Sequence, residues 1–267
     1  MMTGVEHTLA RNGCTLHYWL YQGDSSKPLL VFTHGAGTDH RMFDPQTNAL
    51  IGQYPLLTWD VRGHGLSRPN SSPFSIRAAV DDLLTILDTL GIQQAIFAGQ
   101  SMGGNITQEI AFLYPQRVKA LVLIDCACNT FRLSPTEKLM LNIAPAMFRW
   151  YPENLLKSQS VQVSAVTEGA RAYLREVFQI MSKDEFVNVL LATTGCLHEE
   201  PDYHIKQPML LVHGKHDGTG NIRKVAPIWA AREPHCRYGV IPDAGHVANM
   251  DNSPFFNRLL LEFLQNL

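Results

Sequence analysis

The chain reads as an α/β protein built on a mainly parallel sheet covered on both faces, and three observations carry that reading. Short apolar runs of strand length, bounded by turn residues, recur from residue 28 onward. Amphipathic stretches of helical period separate them, the alternation that parallel strands need for their crossovers. The pentapeptide Gly99-Gln100-Ser101-Met102-Gly103 marks an abrupt change from a strand-like to a helix-like pattern.

In chain order, residues 15–21 alternate in polarity and read as part of an antiparallel opening hairpin. Residues 28–33, 54–59, 94–98, 118–124, 208–212 and 238–241 read as the remaining strands. Ile76, Ala79, Val80, Leu83, Leu84, Leu87 and Leu90 recur at helical spacing, with Ser75 as the N-cap and Gly91 as the stop. Phe256, Leu259, Leu260, Phe263 and Leu264 line one face of a final helix. Both stripes are core. The rhythm fails between residues 129 and 204, where about seventy residues hold helical stretches and no strand, too long for a simple crossover. This segment reads as a helical cap on a core of residues 1–128 and 205–267. Most of its aromatic side chains are expected to pack the cap, and a few to roof a substrate pocket. Phe148 and Trp150 are the candidates from the cap, with Phe43 from the core.

Composition narrows the function. Of 267 residues, 45% are hydrophobic and 17% charged, with a net charge of −2, so a sizeable core is expected and a basic face for nucleic acid is not. A small-molecule substrate is the default partner. The first seven residues carry neither a basic nor an apolar signal region, and no run reaches the ~18 apolar residues of a membrane span. The five cysteines are odd in number and scattered, which points to free thiols in a reducing, cytoplasmic compartment. Cys126 and Cys128 lack a second pair at metal-ligand spacing and read as buried small side chains, and no metal or organic cofactor is expected.

The chemistry centres on Ser101. Glycines two residues before and after it permit a strained turn that exposes the hydroxyl at a helix start, where free N–H groups favour developing negative charge. A serine hydroxyl needs a base, and the base needs an orienting acid. Asp217 stands just after the strand ending at Val212, and His246 stands between the last strand and the last helix. The order is therefore serine, acid, histidine. Asp243 is too near His246 along the loop and reads as a turn residue. His34 and His64, in glycine-rich loops, are expected to brace those loops. His213 and His216 show no converging metal ligands, and His40 is expected at the surface.

These motifs resemble the α/β-hydrolase superfamily along essentially the whole chain. His34-Gly35-Ala36-Gly37 is similar to its oxyanion loop, Asp60-Val61-Arg62-Gly63-His64-Gly65-Leu66-Ser67 to its Asp-x-x-Gly-x-Gly-x-Ser segment, and Gly99 to Gly104 to its nucleophile elbow. The resemblance implies an eight-stranded, mostly parallel sheet flanked by helices, with the cap inserted after the sixth strand. It also implies an oxyanion hole made by the backbone N–H groups of Ala36 and Met102. Because some members carry the acid after the sixth strand, Asp125 is the alternative to Asp217.

The expected reaction is hydrolysis of a carboxylic ester of a small, largely apolar substrate through an acyl-enzyme. A serine at the elbow argues against the dehalogenases and epoxide hydrolases of this superfamily, which carry aspartate there. Lactone hydrolysis and C–C bond hydrolysis remain alternatives with the same triad. The C–C hydrolases resemble this chain less, because their oxyanion loop is richer in glycine. A ligand receptor on this fold is a further alternative, opposed by the intact Ser101, Asp217 and His246.

Overall fold

The computed structural model describes residues 4–267; Met1–Thr3, part of the stretch read as lacking a signal pattern, lie outside the described residues. Eight strands form one sheet: β1 (Val5–Arg11), β2 (Cys14–Tyr21), β3 (Leu30–Thr33), β4 (Leu56–Trp59), β5 (Ala95–Gln100), β6 (Val118–Ile124), β7 (Met209–Gly214) and β8 (Cys236–Ile241). Their spatial order is β1-β2-β4-β3-β5-β6-β7-β8. Only the pairings of β2 with β1 and β4 are antiparallel. From β3 to β8 every pairing is parallel.

The sequence reading of residues 15–21 as half of a hairpin holds, and β1 is the half it left unplaced. This strand lies at a sheet edge, with side chains exposed or half-buried throughout, so it has no apolar run to mark it. The central strands β3, β4, β5 and β7 are buried along their whole length and stand out for the opposite reason.

The crossovers are α1 (Asp44–Leu50), α2 (Ile76–Thr89), α3 (Met102–Leu113) and, between β7 and β8, α8 (Ile222–Arg232). Ser75 caps α2 as its sequence predicts, accepting from the Ala78 N–H at 3.1 Å. Gly91 follows with φ +70°, the left-handed backbone that a C-terminal stop requires. The inward stripe of α2 is buried, with the half-buried Leu90 as its C-cap, and of the final helix, α10 (Ser253–Gln265), only Leu259 on that stripe is half-buried. A short α9 (Ala248–Asp251) precedes it.

Between β6 and β7 lie four consecutive helices and no strand: α4 (Pro135–Trp150), α5 (Glu153–Ser164), α6 (Glu168–Ile180) and α7 (Lys183–Thr194). Ser134 and Ser182 begin α4 and α7 with reciprocal capping boxes to Glu137 and Glu185. No described helix is long and apolar enough to cross a membrane.

The chain runs outward from β3 to β4 and returns on the other side as β5. That reversal opens a crevice at the carboxyl ends of β3 and β5, where open α/β sheets place their ligands. The loop after β3 and the turn after β5 are those that carry Ala36 and Ser101.

Candidate active site

Ser101 is the single residue between β5 and α3, and its backbone adopts φ 51° and ψ −115°. A non-glycine residue there is strained, and it persists because its surroundings leave no alternative. A Cβ on Gly99 would overlap the Gly103 backbone, and one on Gly103 would overlap the Thr33 carbonyl. The elbow therefore packs backbone against backbone, which only glycines at these two positions allow. The Ser101 N–H donates to the Ile124 carbonyl at 2.9 Å and its carbonyl receives the Asn105 N–H at 3.1 Å, fixing the turn at both ends.

His246 joins Ser101 to Asp217. Its Nδ1 lies 3.0 Å from Asp217 Oδ2 and its Nε2 lies 2.9 Å from Ser101 Oγ. An ionised carboxylate only accepts, so Nδ1 carries the proton and Nε2 presents a lone pair to the serine hydroxyl. Burial of Asp217 opposes its charge, but His246 and hydrogen bonds from Thr219 outweigh it and hold the carboxyl below its ordinary pKa. The acid is thus ionised at neutral pH.

The alternative acid is engaged elsewhere. Asp125 follows β6 with φ +47°, and its two oxygens accept from the Gly214 N–H at 2.7 Å and the Ala248 N–H at 2.9 Å. Burial and the neighbouring charge of Asp217 push its pKa well above the carboxylate range. Asp243 sits at φ +53°, as its reading as a turn residue requires.

The two N–H groups expected to face an oxyanion, those of Ala36 and Met102, donate to no backbone or side-chain acceptor among the described residues. Ala36 lines the cavity above Ser101, and Met102 opens α3. The loop bearing Ala36 is braced from beneath. His34 Nδ1–H donates to the Gly35 carbonyl at 2.8 Å while its Nε2 accepts the Val61 N–H at 3.0 Å, which requires the neutral ring. Burial lowers the pKa of His34 accordingly. His64 donates from Nδ1 to the Arg62 carbonyl at 3.1 Å, and burial brings its pKa down to about 3. Both histidines brace loops, as the sequence suggests. Asp60 anchors the adjoining segments, accepting from the backbone N–H and the ring of His40 and from the Leu66 N–H. His40 itself stacks on Trp19 with ring centroids 3.5 Å apart and lies outside the cavity lining.

A cavity of about 490 Å³ lies over Ser101 and His246. Its walls come from the inserted helices: Phe148, Leu156, Leu174, Phe178, Phe186 and Leu190, with smaller polar contributions from Gln159 and Ser160. Among the described residues that line it, none is Asp, Glu, Lys or Arg.

Of the three pocket residues expected from sequence, Phe148 is in the wall and two are not. Phe43 is fully buried beneath the loop, its ring 4.8 Å from that of Phe32, so it belongs to the core. Trp150 is 85% exposed. Two residues along a helix is a turn of about 200°, so Phe148 and Trp150 cannot both face the cavity. Trp59 is buried below the site, with its Nε1 donating to Thr33 Oγ1 at 3.1 Å. Phe178 and Phe186, which sequence reading did not single out, close over the loop, and a Cβ on Gly37 would press against both rings.

A family profile described as the alpha/beta hydrolase fold matches residues 28–164, more than half of the chain. The chain is 26% identical over 272 residues to 3-oxoadipate enol-lactonase 1 of Acinetobacter baylyi, with 96% of each chain covered. It is 30% identical over 258 residues to a 2-hydroxy-6-oxononadienedioate/2-hydroxy-6-oxononatrienedioate hydrolase of Burkholderia vietnamiensis, covering 88% of this chain and 86% of the relative. The crystal structure of the enol-lactonase from Burkholderia xenovorans superposes with a TM-score of 0.82 at 27% identity, over 97% of this chain and 100% of the other. A profile match of that extent, on a sheet of this order with a serine at the elbow, makes the chain an enzyme of the alpha/beta hydrolase family.

Proposed function

We propose that this enzyme hydrolyses carboxylic esters of small, neutral and largely apolar substrates through an acyl-enzyme. Ser101 Oγ attacks the carbonyl carbon as His246 Nε2 takes its proton, and Asp217 holds the imidazole in the required tautomer and stabilises its charged form. The N–H groups of Ala36 and Met102 receive the oxyanion, each such donor contributing ~3 kcal/mol to the transition state. His246 returns the proton to the leaving alkoxide, which departs as the alcohol. It then deprotonates a water that attacks the acyl carbon, releasing the acid and restoring Ser101. Residues 129–204 act as the cap over the core of residues 1–128 and 205–267.

The absence of charge from the cavity lining carries the choice of substrate. The relatives' names specify an oxoadipate lactone and a dioate, which are carboxylate-bearing substrates. A carboxylate moved into an apolar cavity needs a cationic partner, and the described lining supplies none. A neutral lactone is the second reading, favoured by the same triad and by the likeness to enol-lactonases. The five cysteines are all free, which supports a reducing, cytoplasmic setting.

The test is hydrolysis of p-nitrophenyl acetate, butyrate and octanoate beside a panel of neutral lactones, for the wild type and Ser101→Ala. Turnover that vanishes in the variant supports the assignment. A folded wild type that turns over none of these, or an enzyme that prefers dicarboxylate substrates, overturns it.

A further inference from the structure

Four successive residues around the proposed base are each held by a different part of the molecule. The Gly245 N–H donates to Asp251 Oδ2 at 2.8 Å, the Val247 N–H to the Ser164 carbonyl at 3.1 Å and the Ala248 N–H to Asp125 Oδ2 at 2.9 Å. The fourth bond is the shortest: Gln100 Nε2 donates to the carbonyl of His246 itself at 2.6 Å. Gln100 is 1% exposed and immediately precedes Ser101. Its amide is also wedged against the loop that bears Ala36, since a Cβ on Gly35 would overlap Gln100 Oε1.

This placement closes a ring. From the Ser101 backbone the path runs through the Gln100 side chain to the His246 carbonyl, along the imidazole to Nε2, and back to Ser101 Oγ. The nucleophile and the base are therefore joined through the reacting atoms and also, residue to residue, through a group that does not react. Of the three other bonds, those to Asp251 and Ser164 hold the loop to other elements, while that to Asp125 reaches the end of β6 beside the Ile124 carbonyl that receives the Ser101 N–H. Only the Gln100 bond runs to the His246 residue itself.

We propose that Gln100 is a positioning residue that sets the reach of His246 toward Ser101 and seats the loop bearing Ala36, and that its amide N–H is the operative group. This rests on the assignment of Ser101 and His246 as nucleophile and base. The proposal requires a donor at this position, and Gly35 leaves the amide the space that a Cβ there would take.

The test uses two near-isosteric variants, Gln100→Met, which lacks the donor, and Gln100→Glu, which regains one only when protonated. Labelling of Ser101 by a fluorophosphonate in the wild type and Ser101→Ala first establishes the nucleophile, so failure of that assignment is seen separately. For Gln100→Met, kcat for an ester and the labelling rate are expected to fall between tenfold and a hundredfold, with KM within twofold and the thermal midpoint nearly unchanged. For Gln100→Glu, activity relative to the wild type at each pH is expected to rise as pH falls from 8.5 to 5.5, because the protonated acid can donate to the His246 carbonyl. Gln100→Met labelled and turned over at the wild-type rate, or a Gln100→Glu ratio independent of pH, overturns the proposal. If Gln100→Met does not fold, the Gln100→Glu ratio alone decides.

Discussion

Replacing His64 by Asn should remove a defined part of the protein's acid lability. His64 is fully buried, its Nδ1–H donates to the Arg62 carbonyl, and its Nε2 meets no hydrogen-bond partner. The charged ring would have nothing to receive its second proton, and His34 lies 5.1 Å away. Burial therefore lowers its pKa from 6.5 to about 3. Between these values the unfolded chain binds a proton that the folded protein refuses, so stability falls as the pH is lowered. At pH 5 the unfolded ring is about 97% protonated and the folded ring almost wholly neutral, a loss of about 2 kcal/mol relative to pH 7.5. Asn can keep a donor toward Arg62 and does not titrate. Urea denaturation at pH 7.5 and pH 5.0 gives the loss for each protein, and the fixed cost of the substitution cancels in the difference. The wild type should lose about 2 kcal/mol more than His64→Asn. Equal losses would mean that His64 is protonated in the fold at pH 5, and its reading as a neutral brace on the Arg62 carbonyl would be wrong.

The other expectations concern the acids and the cavity wall. Asp217→Asn should lower kcat by about 10⁴-fold with the fold intact, by presenting the wrong partner to His246 Nδ1. Asp125→Asn should instead destabilise by about 1–3 kcal/mol, since its amide cannot accept both backbone N–H groups, while the folded fraction keeps kcat within tenfold. Steady-state kinetics beside urea melts separates the two, and the reverse pattern would exchange the acids. Phe148→Ala should lower kcat/KM for p-nitrophenyl octanoate by about tenfold, and Trp150→Ala should leave it within twofold. A larger loss from Trp150→Ala would mean that α4 turns its other face to the substrate.

The sheet and the Ser101 elbow are legible in the sequence because each depends on a local pattern. Buried central strands must be continuously apolar, and a strained turn needs glycines within two residues. β1 escapes because an exposed edge strand has no apolar face to show. The cavity wall is harder for a different reason. In α4 no residue is buried and apolar side chains point outward as well as inward, so Phe148 and Trp150 carry the same sequence signal and opposite positions. Gln100 is invisible too, because its partner is a backbone carbonyl 146 residues away that any amino acid could supply.

Under the proposed mechanism the two acids that the sequence offers divide the labour. Asp125 and Asp217 follow adjacent parallel strands, so both stand at the sheet's carboxyl edge near the loop after β8. Only one carboxylate can bond the imidazole. Asp217 has a longer loop, from Gly214 onward, which carries it out to Nδ1. Asp125 directly follows β6 in a left-handed conformation and turns instead toward backbone. It accepts from Gly214, at the start of the Asp217 loop, and from Ala248, two residues beyond His246. The acid that does not touch His246 therefore holds the roots of both loops that bring Asp217 and His246 together. Its own charge is unfavourable beside Asp217, and the two backbone donors offset part of that cost. Moving the proposed acid's role to Asp125 would need more than deleting Asp217: both N–H groups would have to find other acceptors before the carboxylate could turn to His246.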